Sequence, residues 1–103
     1  MFAALRLRSE VLLALGRIDD AEREILGTIS QQSRVLNPDH PQTQVSELVW
    51  LEILAAKGER DTALAEIGRV HDALLAATGP GHIRVKQAAR LRDRLLGSPP
   101  ADE

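Results

Sequence analysis

The 103-residue sequence predicts an all-α fold, a stack of antiparallel helix pairs about two and a half units long. Three observations carry that expectation. First, ten residues recur 42 positions later without a gap: Glu10, Leu12, Ala14, Gly16, Asp19, Ala21, Glu24, Ile25, Pro38 and His40 return as Glu52, Leu54, Ala56, Gly58, Asp61, Ala63, Glu66, Ile67, Pro80 and His82. A fixed period of this size marks stacked units, each burying its apolar face against its neighbours. Second, the apolar residues are aliphatic: sixteen Leu and fourteen Ala against two aromatics, Phe2 and Trp50. Leu and Ala are strong helix formers. Third, glycines and prolines fall at regular breaks between segments of helical periodicity.

Five helices follow in order. The first is expected over 2–15 and stops at Gly16, a residue suited to the left-handed position after a helix. Asp19 is the expected cap of the second, 19–36, whose Ala21, Ile25, Ile29 and Leu36 keep mostly helical spacing. Asn37-Pro38-Asp39-His40-Pro41 breaks it, because proline lacks the N–H donor and restricts the residue before it. Asp39 with Gln42 three residues on reads as a capping box opening the third helix, 41–57, which is apolar nearly all round and ends at Gly58. Asp61 is expected to cap the fourth, to residue 77, with Ala63, Ile67, Val70 and Leu74 on one face. After Thr78-Gly79-Pro80-Gly81, a last helix over 82–96 carries one apolar stripe, Ala88, Leu91 and Leu95, and is otherwise charged. One greasy face is what a terminal capping helix needs. The units are therefore 1–40 and 41–81 with a cap at 82–96, and 97–103 is expected to be a disordered tail.

Composition removes several function classes. Without cysteine there is no disulfide framework and no thiolate chemistry, which suits a cytoplasmic location. No apolar run reaches the ~18 residues of a membrane span, and the first fifteen residues lack the pattern of a signal peptide. A membrane partner is not expected. Net charge is −2, with residues 1–81 at −4 and 82–98 at +4.

Catalytic and metal readings find little. His40 and His82 are displaced by a whole unit, so they cannot converge on one ion, and each is expected to help fold its proline-rich turn. His71, beside Asp72, reads as a surface residue. The five serines sit in no nucleophile elbow and no Ser-x-x-Lys pair, and Gly79-Pro80-Gly81 is too short to cradle a phosphate. Glu22, Glu24 and Glu66 read as a solvated helix face. No enzyme, cofactor or metal is expected.

Gly16-Arg17-Ile18-Asp19-Asp20-Ala21-Glu22 and Val35-Leu36-Asn37-Pro38-Asp39-His40-Pro41-Gln42-Thr43 resemble the two landmarks of tetratricopeptide (TPR) repeats of the kinesin light chain type, at that family's 42-residue period. The second copies, Gly58–Ala63 and Thr78–His82, are degenerate. Ala21 and Ala63 match the family's small packing position; Arg8 and Ser9, then Trp50 and Leu51, stand where it prefers a leucine or small residue, and Leu12 and Leu54 replace its aromatic. The resemblance implies a right-handed TPR-like α-solenoid and a protein-binding scaffold without catalysis. It also implies that the first helix of each unit lines a concave groove, which maps onto Arg6, Glu10 and Leu13, then Val45, Leu48 and Glu52, then Arg90 and Arg94. Within each set the spacing of three to four puts the residues on one helical face independently of the family. The strip mixes apolar anchors with carboxylates and suits a peptide or partner protein.

Two other functions stay open. The first helix is apolar on several sides, through Leu5, Leu7, Val11, Leu12, Leu13 and Leu15, so the chain is either part of a longer array or forms a homodimer there. The basic last helix, with Arg84, Lys86, Arg90, Arg92 and Arg94, offers a nucleic-acid alternative. Its charges point to several sides with no aromatic for stacking, and the body is acidic, so nucleic acid is not the expected partner. Eleven Arg to two Lys, with abundant Ala and Leu, suggest a GC-rich bacterial gene and a regulatory or signalling role.

Overall fold

The computed structural model describes residues 2–97, all of whose regular structure is helical: α1 (Phe2–Ala14), α2 (Ile18–Val35), α3 (Pro41–Lys57), α4 (Arg60–Thr78) and α5 (Ile83–Leu95). The expected tail lies outside the described residues apart from Gly97.

Two kinds of junction alternate. Within the first two pairs the turn is closed by a left-handed glycine, Gly16 at φ 81° and Gly58 at φ 85°. Their amides bond back to Leu13 O and Ala55 O, so the last carbonyls of α1 and α3 are satisfied within one turn. This closure is so tight that α2 and α4 begin at once, after Arg17 and Glu59, neither of which caps with its side chain. Asp19 and Asp61 therefore stand inside the first turn and are not the caps the sequence suggested; there their charge still favours the positive end of the helix dipole.

The longer junctions carry the second correction. His40, not Asp39, is the cap of α3, its Nδ1 accepting the Gln42 amide at 3.1 Å. Pro41 occupies the first helical position, where its fixed φ is already helical, and this places the cap one residue beyond Asp39. His82 does the same for α5, accepting the Arg84 amide at 3.1 Å. Asn37 takes the left-handed conformation at φ 95° and turns its Oδ1 onto the Asp39 amide.

Each helix packs against its successor, and the odd-numbered helices also touch, α1 with α3 and α3 with α5. Among the described residues α2 and α4 make no close approach, so three helices form one layer and two the other, within 41 × 31 × 20 Å. The interior divides in two. Between α3, α4 and α5 lies a large cluster that includes Leu48, Leu51, Leu54, Ile67, Val70, Leu74, Leu91 and Leu95. Between α2 and α3 lies a much smaller one, Ala21, Ile25, Val49 and Ile53, with Leu12, Leu13, Ile18 and Ile29 packed at its edge. Trp50 borders both, and its Nε1 donates to Glu22 Oε2 at 3.4 Å. Lys57 Nζ meets Glu22 Oε1 at 2.6 Å, which lowers the Glu22 pKa and raises that of Lys57. Arg69 ties α4 to α3 through Glu47 at 2.6 Å.

Candidate partner-binding cleft

The layer of odd-numbered helices carries a cleft of about 200 Å3 at the place where all three come together. α1 contributes Glu10, Leu13 and Ala14, α3 contributes Val49 and Glu52, and α5 contributes Gln87. Helical spacing explains the choice. Glu10, Leu13 and Ala14 stand at i, i+3 and i+4, and Val49 and Glu52 at i and i+3, so each set shares one face. The walls are aliphatic and two carboxylates stand at the lip.

Those carboxylates are engaged from α5. Arg94 Nη2 lies 2.7 Å from Glu52 Oε1, and Gln87 Nε2 donates to Glu52 Oε2 at 3.4 Å. Arg84 Nη1 approaches Glu10 Oε2 at 3.5 Å while donating to Gln87 Oε1 at 2.9 Å. Arg6 extends the row, donating to Gln42 Oε1 at 3.0 Å. Its guanidinium is held below the ordinary arginine pKa by burial first and by the nearby Arg84 charge second. A row of alternating charge thus borders an apolar floor, and such a surface can seat an extended or helical segment that offers both a cation and an aliphatic group.

Of the residues expected to line a groove, Glu10, Leu13 and Glu52 line this cleft, and Arg94 reaches it through Glu52. Arg6 sits on the same face of α1, one turn before Glu10. Arg90 is exposed and forms no ion pair among the described residues. Leu48 and Val45 are corrections. Leu48 is 0% exposed and Val45 9%, both inside the cluster that α3 forms with α4 and α5, so neither presents a side chain to a ligand. One residue along a helix turns the side chain by about 100°, and it is Val49, not Leu48, that borders the cleft, itself buried against Ala21 and Ile25 of α2. Val49, Ala14, Gln87 and Arg84 were not anticipated. Gln87 and Arg84 carry a signal only in retrospect, three residues apart on the face of α5 that meets Glu10 and Glu52.

Other candidate groups are occupied. His40 and His82 spend Nδ1 on the caps described above, and among the described residues no group of three or more His, Asp or Glu could hold a metal ion. His71 is half-buried, with Nδ1 3.2 Å from Asp72 Oδ1. A second depression, between α1 and α2, is lined by Arg8, Leu12, Arg17, Asp20, Arg23 and Glu24, where Arg8 pairs with Glu24 and Arg17 with Asp20, each at 2.6 Å, and Arg23 shares Asp20 at 3.4 Å. No helix among the described residues is long and apolar enough to cross a membrane. No protein-family model, curated protein or solved structure matches this chain.

Proposed function

We propose that this chain is a helical-repeat module of the tetratricopeptide kind, a right-handed stack that binds a protein or peptide partner and does no chemistry of its own. The observation that carries the reading is the cleft, where three alternate helices converge and two repeat-equivalent glutamates, Glu10 and Glu52, stand at the edge of an apolar floor. Repeat equivalence supports it, because identical residues 42 apart meet similar surroundings in a stack and so line one continuous strip. The preferred ligand is an aliphatic segment carrying Arg or Lys, whose cation competes with Arg84 and Arg94 for the carboxylates. A bacterial regulatory or signalling protein is the setting in which such a module fits. Two of the five basic side chains of the nucleic-acid alternative, Arg84 and Arg94, are turned onto Glu10 and Glu52.

Selection of a random peptide library on the purified chain tests this. Enriched peptides are expected to pair a basic residue with a nearby aliphatic one. The Glu10→Arg/Glu52→Arg double variant is expected to lose at least roughly tenfold in affinity for them, about 1.4 kcal/mol, with its thermal unfolding little changed because the lost pairs are partly exposed. Equal binding by the variant would place recognition elsewhere.

A further inference from the structure

The outer face of α1 presents Leu7 and Val11, 60% and 49% exposed, with Leu15 one turn further on. Forty-two residues later these two positions are Val49 and Ile53, and 42 later again Leu91 and Leu95. Both later pairs are buried. Each is clustered with the even-numbered helix that precedes it: Val49 and Ile53 with Ala21 and Ile25 of α2, and Leu91 and Leu95 with Ala63 and Ile67 of α4. The covering helices share a pattern, an alanine followed four residues on by isoleucine. The small residue lets two backbones come close, and the branched one fills the space beyond.

The other end of the molecule is finished differently. The positions of Leu48, Leu51 and Leu54, which α3 buries against α4, become Arg90, Asp93 and Leu96 at α5, where all three are exposed. Two charges replace two leucines. That end is closed by charge, whereas the equivalent closing of α1 has not occurred.

From these equivalences we infer that the Leu7–Val11 face of α1 is a docking surface for one more amphipathic helix of the α2 and α4 kind, presenting Ala and Ile four residues apart and belonging to a further repeat unit stacked ahead of α1. The contact continues an interface the molecule already makes twice. A folded second copy is a poor source, because its own α2 and α4 faces are covered by α3 and α5. This inference concerns a different surface from the cleft and does not rest on it.

Two chimaeras test it, one placing a second copy of residues 17–42 directly ahead of Met1 and the other residues 59–84. Both preserve the 42-residue register, since Met1 corresponds to Thr43 and to Val85. At least one chimaera is expected to remain monomeric by sedimentation and to unfold roughly 5 °C or more above the parent chain. The gain should vanish when Leu7→Glu and Val11→Glu are introduced into it. The same pair of changes in the parent should move its midpoint by far less, the sites being exposed. No gain in either chimaera, or a gain that survives the two glutamates, overturns the inference. So does a dimer of the parent chain that the two glutamates dissolve, since the face would then belong to a second copy.

Discussion

Gln32 occupies the place in the first unit that Leu74 fills in the second, and it is fully buried with neither amide atom bonded among the described residues. Two neighbours follow the same rule: Ser9 and Thr28 stand where Leu51 and Val70 stand one period later. Their hydroxyls are satisfied by the carbonyls of Leu5 and Glu24, at 3.4 and 3.0 Å, whereas the Gln32 amide is not. An unmet buried polar group costs about 1–3 kcal/mol, so Gln32→Leu is expected to stabilise the chain by about 1 kcal/mol or more in urea unfolding. A lower midpoint would show that the amide is satisfied by solvent. At this scale the sequence was partly legible. That His40 and His82 shape their turns could be read from their offset, but not their task, because Asp39 is the better cap by type; Pro41 at the first helical position sets the cap at His40, and His82 caps α5 with no proline after it.

Among the elements, existence and order could be read and rotation could not. The breaks at Gly16, Asn37–Pro41, Gly58 and Gly79 fixed all five helices to within about one residue of the observed bounds, since each rests on a local backbone rule. α3 is different. Val45, Leu48, Val49, Leu51, Ile53 and Leu54 surround it, and a helix apolar on every side carries no phase in its pattern. Its neighbours decide: α4 and α5 take Leu48, and α2 takes Val49, which only borders the cleft. Leu48→Ala is therefore expected to cost roughly 2–5 kcal/mol, the range of a large-to-small change in a packed core. Denaturant titration would read it. A cost below about 0.5 kcal/mol is what a solvent-facing position shows and would return Leu48 to the surface.

For the molecule as a whole, the uneven interior sets the order of opening. The α3–α4–α5 cluster holds all six buried leucines, while the buried apolar side chains of α1 and α2 among the described residues are only Ala21 and Ile25, and the outer face of α1 is uncovered. Native-state hydrogen exchange should therefore find α1 and α2 opening at lower free energy than α4 and α5, by about 1 kcal/mol or more; uniform protection would contradict the two-core description. The repeat could be read in the sequence, but the disparity between its copies could be seen only once Ser9, Thr28 and Gln32 were found to be interior. The Glu10–Arg84 pair has a consequence of its own. α1 and α5 make no close backbone approach, and this contact spans from the first to the last helix across α3. On the proposed binding reading, a cationic ligand that paired with Glu10 would compete with Arg84 for it, and filling the cleft would give up this side-chain tie between the first and last helices.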